Sequence, residues 1–223
     1  MKIMAAHQPN FLPYLGLFYK IHKSEEFIFV DNVQFSWQRG ISHHRNLIKT
    51  PNGSQMIMIP VKKNKDSKIN EVTIDYSTDW IKKALRSFEV NYKKAPYFNE
   101  IYEWIKNIFD MHFEYISQLN IFLIKDICAR WGIKTNWVVS SEQQITGYKN
   151  EFVLNLMRYS NADVYYSGTG AKVYLDIKEF NQNGYEIEVS DYKPLRYKQL
   201  WGEFIENLSV IDYLFNEGFK NPF

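Results

Sequence analysis

The sequence KIMAAHQPNFLPYLG, residues 2–16, places a short apolar run before a loop that carries two prolines. The run at residues 2–6 predicts a buried β-strand, because it is apolar and ends where Pro9 and Pro13 interrupt regular structure. Apolar residues at helical spacing predict a helix over 14–23, and residues 26–31 predict a second buried strand. A strand, a loop, a helix and a strand in this order are typical of the start of a parallel α/β sheet.

The rest of the chain predicts further α/β elements around a helical middle. An Asn52-Gly53 turn between two β-like segments predicts a hairpin within residues 41–61. Helices are predicted over 80–92, 96–109, 112–131, 150–160 and 209–218, and strands over 72–74, 135–139 and 164–166. The predicted fold class is α/β, with a mixed Rossmann-like sheet, a helical segment inserted at about 80–132 and a β-hairpin. Residues 1–223 are expected to form a single domain.

Composition excludes several classes of protein. The chain has 223 residues, 45% hydrophobic and 17% aromatic, which excludes intrinsic disorder. A formal net charge of +2 gives no basic footprint for nucleic acid. One cysteine, Cys128, excludes an intramolecular disulfide and a thiolate metal site. No apolar stretch approaches the ~20 residues of a membrane span, and the first residues lack the features of a secretory signal. A cytoplasmic location is expected.

The first candidate site follows the first strand, at His7, Gln8 and Asn10. Ligands of parallel α/β sheets collect at the carboxyl ends of the strands, and Asp31 is predicted to lie at the same edge. At neutral pH a histidine there could act as a general base or as a hydrogen-bond donor. The two amides could orient a sugar hydroxyl, an amide or a phosphate. Alternatively, Asn10 shapes a turn and His7 is a structural histidine.

The second candidate is the loop Ser167-Gly168-Thr169-Gly170-Ala171-Lys172 after the strand at 164–166. Its glycines would let backbone N–H groups approach an anion, and Lys172 could neutralise phosphate charge. The loop lacks the full GxxxxGK[ST] spacing, so an ordinary P-loop ATPase is not predicted. A plain strand-to-helix turn is the alternative.

The third candidate is the polar run from Gln34 into the hairpin. Arg39, Arg45 and Lys49 could bind a diphosphate while Trp37 or Phe35 stacks on a base, with Asn46 beside them. The same residues could instead decorate a solvated strand edge. His43 and His44 are adjacent and would face opposite sides of a strand, so no metal site is predicted there.

The helical middle carries aromatic side chains at helical spacing, namely Trp104, Phe109, Phe113, Tyr115 and Phe122. Such a stripe is most often core packing, although it could form an interface, and a homodimer through these helices is one option. Cys128 lies in an apolar stripe, where a buried, unreactive thiol is expected.

Three stretches together resemble the WbqC-like protein family: residues 7–16, residues 41–46 with 59–62, and residues 166–176. The resemblance extends to the end of the chain, with Tyr14 where the family often has Trp. It implies a bacterial protein of O-antigen (lipopolysaccharide) or other surface-polysaccharide biosynthesis. The activity implied is a transferase that modifies an amino sugar, including glycyl or other acyl transfer. His7, Asn10, Arg45, Lys172 and Asp176 match the family motifs.

The resulting hypothesis is a transferase that joins an acyl or aminoacyl group to the amine of a nucleotide-linked amino sugar. His7 would remove the proton from that amine while Gln8 and Asn10 orient it, and Asp176 would complete the catalytic set. Arg39, Arg45 and Lys172 would hold phosphates. Backbone N–H groups of residues 168–170 would stabilise the oxyanion.

Two alternatives stay open: an ATP-dependent amide-forming enzyme, and a non-catalytic protein that binds a sugar nucleotide or a carrier-bound substrate. No tightly bound cofactor is expected, and the acyl donor would be a thioester or an ATP-activated carboxylate.

Overall fold

The computed structural model describes residues 1–36, 42–169 and 175–223. The described strands are β1 (Ile3–His7), β2 (Glu26–Phe29), β3 (Arg45–Thr50), β4 (Gly53–Met58), β5 (Val61–Lys62), β6 (Thr73–Ile74), β7 (Asn136–Val139), β8 (Val164–Ser167) and β9 (Glu186–Val189). The described α-helices are α1 (Leu15–His22), α2 (Trp80–Tyr92), α3 (Phe98–Phe109), α4 (Ile116–Arg130), α5 (Lys149–Ser160), α6 (Ile177–Gln182) and α7 (Val210–Glu217).

Five strands form one parallel sheet in the order β7-β2-β1-β8-β9. β1 lies at its centre because Met4 and Ala5 are apolar and fully buried. From β1 the sheet grows through β2 to β7 on one side, and β8 and β9 occupy the other side. The order therefore reverses between β1 and β8, and such a switch point is where open α/β sheets bind ligands.

The predicted α/β fold class is confirmed. The antiparallel pairs lie outside the large sheet, because β3 pairs with β4 and β5 pairs with β6 in separate two-stranded sheets. The β3–β4 hairpin turns at Gly53, whose φ of 107° is a conformation that glycine adopts without strain. The second strand of this hairpin ends at Met58, earlier than the sequence predicted.

The helical middle also follows the prediction, with differences at the helix starts. α2 has the predicted bounds, whereas α4 begins at Ile116 rather than at residue 112. His112 has a φ of 53°, which is incompatible with a right-handed helix. Gly132, with a φ of 68°, follows the end of α4 as predicted. Sequence reasoning assigned no element to α6 or β9, and both exist.

Alternation along β1 and β2 divides the core into two layers. Ala5, Phe27 and Phe29 face a large cluster that includes α2, α3, α4 and α7. Met4, Ala6, Ile28 and Val30 face a smaller cluster built on α5 and α6. The sheet is thus covered on both faces, as parallel sheets generally are.

The aromatic stripe of the middle helices packs inside the larger cluster. Trp104 is 7% exposed and Phe109 is 1% exposed, while Phe113 and Phe122 pack partly buried against the same cluster. Core packing, rather than an exposed docking face, is therefore confirmed for the two most buried members. Cys128 is also fully buried, and its burial raises the pKa of the thiol. In the described part of the chain, the helices are too short or too polar to cross a membrane.

Candidate functional site

A crevice opens at the switch point, between the segments that follow β1 and β8. It contains a smaller chamber of about 210 Å³ and a larger one of about 730 Å³. The two chambers have five lining residues in common: His7, Tyr14, Lys20, Gly168 and Thr169. We call these five residues the shared wall. The larger volume falls within the ~300–1,000 Å³ that is usual for small-molecule sites.

The smaller chamber is narrow because aromatic rings crowd around the start of α1. Tyr14 and Tyr192 meet edge to face, with ring centroids 6.0 Å apart. A Cβ atom on Gly16 would lie 2.2 Å from Cε2 of Tyr14 and 2.9 Å from Cδ1 of Tyr192, so any larger residue there would displace these rings. Ser190, Pro194 and Asn207 complete this chamber from the chain after β9.

The larger chamber has an apolar side and a polar side. Its apolar lining comes from the end of β2 and from α5 and β8, and consists of Val30, Val33, Phe152, Val153, Leu156 and Tyr165. Beyond the shared wall, its polar lining consists of Gln8, Asn32, Gln34 and Lys149. Mostly apolar walls with a few polar groups are the usual make-up of a ligand pocket.

His7 is the last residue of β1 and lies in the shared wall. Its Nδ1 lies 2.8 Å from the carbonyl oxygen of Gln8, so in the neutral ring Nδ1–H donates and Nε2 is left as an acceptor. Burial, with smaller contributions from the charges of Lys20 and His43, lowers the pKa of His7 to about 4. The ring is therefore neutral at physiological pH, and it is a better hydrogen-bond acceptor than a general base.

Lys20, on α1, is the functional candidate that sequence reasoning missed. It is 5% exposed, and its Nζ donates to the carbonyl oxygen of Ala6 at 2.8 Å and lies 5.6 Å from the ring centroid of Tyr165. Within the described ranges, no carboxylate forms an ion pair with it. Burial lowers the pKa of Lys20 to about 7. The sequence does contain one indication that Lys20 is buried: it follows the buried Leu17 by three residues, and residues three apart share a helix face.

Two of the predicted binding residues instead hold the framework of the site. Asn46 is fully buried, and its Nδ2 donates to the carbonyl oxygens of Phe11 at 3.1 Å and Leu12 at 2.6 Å. The hairpin thus adjoins the loop after β1, and the amide of Asn46 is used in fixing that loop. The carboxylate of Asp31 accepts hydrogen bonds from Ser141 Oγ at 2.7 Å and Ser141 N at 3.0 Å, which joins the ends of β2 and β7.

Of the other predicted residues, Gln8 and Gly168 line the larger chamber, and Gly168 also lines the smaller one. Asp176 is the N-cap of α6, where its Oδ1 accepts from the backbone N–H of Lys178 at 3.0 Å. Six of the predicted site residues line neither chamber: Asn10, Asp31, Arg45, Asn46, Ser167 and Asp176. The predicted residues Trp37, Arg39, Gly170 and Lys172 lie outside the described residues.

His43 and His44 do not face opposite sides of a strand, and that prediction was wrong. They lie in a turn before β3, and their rings lie 5.2 and 5.3 Å from the ring centroid of Phe35. Burial is the main reason that the pKa of each falls to about 4. Over residues 1–36, 42–169 and 175–223, no group of three or more His, Cys, Asp or Glu side chains is placed to hold a metal ion.

The geometry defines a parallel α/β protein with a ligand-sized crevice at the switch point of its sheet. The chain belongs to the WbqC-like protein family, whose model matches residues 8–222. It is 37% identical over 230 residues to a protein of Mycobacterium tuberculosis (strain ATCC 25618 / H37Rv), "Uncharacterized protein Rv1507c". That similarity covers 100% of this chain and 96% of the relative. No solved structure matches the chain.

Proposed function

We propose that this protein is a cytoplasmic transferase of O-antigen or other surface-polysaccharide biosynthesis. It transfers an acyl or aminoacyl group, such as glycyl, to the amine of a nucleotide-linked amino sugar. The observation that carries the proposal is the pair of chambers that meet at the shared wall. A transfer reaction requires two reactants whose reacting atoms are held together, and adjoining chambers provide that arrangement. Membership of the WbqC-like family supports the biosynthetic context.

The larger chamber suits the sugar nucleotide. Its apolar side, with Phe152 and Tyr165, would pack against the base and the sugar ring, and the amides of Gln8 and Asn32 would bind hydroxyl groups. Lys149 would approach the diphosphate. The smaller chamber suits a short acyl or aminoacyl group, because about 210 Å³ lies below the usual size of a site for a whole nucleotide.

His7 would accept a hydrogen bond from the sugar amine through Nε2 and so orient it toward the smaller chamber. This role follows from its neutral ring and from the Nδ1 contact with Gln8. The backbone N–H of Gly168, in the shared wall, would stabilise the oxyanion. Arg39 and Lys172 stay predicted phosphate ligands. The acyl donor would be a thioester or an ATP-activated carboxylate, with no tightly bound cofactor.

The test combines binding with product detection. UDP- and dTDP-linked amino sugars, coenzyme A thioesters and ATP would each be screened by thermal shift, because a ligand of the native state raises its apparent stability. Mixtures of a sugar nucleotide and a donor would then be analysed by mass spectrometry for the amide product.

A variant that fills the larger chamber, Val33→Trp, tests the location. Its matched control is Tyr159→Trp, on the exposed face of α5, where the tyrosine is 45% exposed. We expect a sugar nucleotide to raise the melting temperature of the wild type and of the control but not of Val33→Trp. Binding without transfer from any donor would favour the non-catalytic alternative. If no sugar nucleotide binds, the proposal is wrong.

A further inference from the structure

We propose that Lys20 is the general base of the transfer, the group that takes the proton from the attacking sugar amine. This inference rests on the proposed function. Its first support is position, since Lys20 belongs to the shared wall and so reaches both chambers. Among the described residues, the five of this wall are the ones that line both chambers, so an amine in one chamber would meet an acyl carbon in the other beside it.

The second support is the environment of the amine. An ammonium group that is 5% exposed, and for which the described residues supply no carboxylate partner, is costly to bury. Its hydrogen bond to the carbonyl oxygen of Ala6 anchors Nζ without supplying a negative charge. In the described part of the chain, the titratable groups that line the chamber beside it are His7 from β1, Tyr14 before α1 and Tyr165 from β8. None of these is anionic at neutral pH, so the site favours the neutral amine that a general base requires.

The proposed transfer forms one amide bond and breaks one bond of the acyl donor. The nitrogen of the sugar amine forms a bond to the acyl carbon, and the bond between that carbon and the leaving group of the donor breaks. The amine loses one proton to the neutral Nζ of Lys20, which becomes an ammonium. The leaving group departs as a thiolate from a thioester donor or as a phosphate from an acyl phosphate donor, and Lys20 returns its proton to that group or to water. The products are the sugar amide and the free leaving group.

The first experiment compares transfer rates of the wild type, Lys20→Met and Lys20→Gln over pH 5–10. We expect kcat to fall by about 10²-fold or more in both variants, as for loss of a general base, with a much smaller change in KM. The wild-type rate should rise through an acidic limb near pH 7, and that limb should be absent from the variants. Small primary amines should restore part of the rate in Lys20→Ala. A merely structural role would not give this rescue.

The second experiment does not depend on the reaction. Formaldehyde with cyanoborohydride methylates neutral lysine amines, and peptide mass spectrometry would follow Lys20 against pH. Lys23, exposed at the end of α1, serves as the internal reference. Lys20 should reach half of its maximal rate at a lower pH than Lys23.

Failure of the proposed function and failure of the Lys20 assignment give different results. If the wild type transfers no acyl group with any donor, the proposed function fails whatever Lys20 does. If the wild type is active but Lys20→Met keeps its rate and its acidic limb, the assignment of Lys20 is wrong. Methylation of Lys20 with the same pH dependence as Lys23 would also overturn it.

Discussion

Two buried lysines occupy regions of the molecule with opposite chemistry. Lys49, on β3, is 2% exposed and lies in a network of polar side chains, where its Nζ donates to Gln199 Oε1 at 2.9 Å and to the carbonyl oxygen of Glu203. Lys20, in the shared wall, is 5% exposed and donates to the carbonyl oxygen of Ala6. The first amine thus belongs to a network with a carboxylate, whereas the second lies beside a ligand-sized crevice.

The network around Lys49 centres on Asp212, which is fully buried. Tyr92 Oη and Tyr197 Oη each donate to its carboxylate at 2.7 Å. Burial raises the pKa of Asp212, and these two hydrogen bonds and the charge of Lys49 oppose that rise. The network joins α2, β3 and α7 to the chain that follows β9. Removing one partner of the Lys49 network leaves an uncompensated buried charge and destabilises the fold, whereas Lys20, beside a cavity and with no carboxylate partner among the described residues, is a candidate for chemistry.

The largest expected effect is that of Asp212→Ala. Removing the carboxylate leaves Tyr92, Tyr197 and Lys49 without their buried anion, and breaking such a network costs about 3–5 kcal/mol of unfolding free energy. Urea unfolding at pH 7, followed by tryptophan fluorescence, measures the loss. Asp212→Asn keeps the shape and should lose less. A loss under about 1 kcal/mol in Asp212→Ala would mean that the network contributes little.

The second prediction compares the stability effects of replacing each of the two lysines by methionine. Lys49→Met should destabilise the protein by about 1–3 kcal/mol, because Asp212 loses its buried cation and Gln199 loses a donor. Lys20→Met should instead stabilise it by about 1–3 kcal/mol, because a buried charge to which the described residues give no anionic partner is replaced by an apolar group. The same urea experiment measures both variants. If the free energy of unfolding changes with the same sign in both variants, the proposed difference between the two lysines is wrong.

The pH dependence of the free energy of unfolding gives a further test of the buried amine of Lys20. The pKa of Lys20 is lowered to about 7, against about 10.4 in an unfolded chain. Between these values the unfolded state binds more protons than the native state, so this lysine makes the free energy of unfolding rise with pH by about 1.4 kcal/mol per pH unit. Below pH 7 both states are protonated and its penalty is complete. The advantage of Lys20→Met over the wild type should therefore shrink from pH 7 to pH 9, whereas parallel curves would contradict the lowered pKa.

Much of the fold could be predicted because the buried strands have continuous apolar patterns. The runs at 2–6 and 26–31 contain the inner strands β1 and β2, and residues 4–6 and 26–31 are buried, so their sequence alone indicates strands. β9 could not be found in this way. It lies at the edge of the sheet and alternates exposed glutamates with partly buried Ile187 and Val189, so its short pattern resembles a loop.

Less of the candidate site could be predicted. The positions of His7 and Gln8 followed from where a parallel strand ends, but the roles of Asn46 and Lys20 depended on tertiary contacts. An asparagine that binds loop carbonyls cannot be distinguished by sequence from one that binds a ligand. A lysine on a short helix ordinarily indicates a solvated position, and Lys20 is buried because β1 and β8 lie against its face of α1.

The smallest expected effect concerns the walls of the smaller chamber. In most helices Gly→Ala stabilises by roughly 0.5–1 kcal/mol, but at Gly16 the new Cβ would lie 2.2 Å from the Tyr14 ring. That ring must leave the shared wall, so we expect Gly16→Ala to destabilise by about 1 kcal/mol overall. The matched control is Asn107→Ala, at an exposed position of α3 that lines neither chamber. Calorimetric titration with the sugar nucleotide that binds best should show about tenfold weaker affinity for Gly16→Ala, which corresponds to about 1.4 kcal/mol, and little change for the control. Equal affinities in the two variants would show that the sugar nucleotide does not contact Tyr14, and Tyr14 would then have no part in binding it.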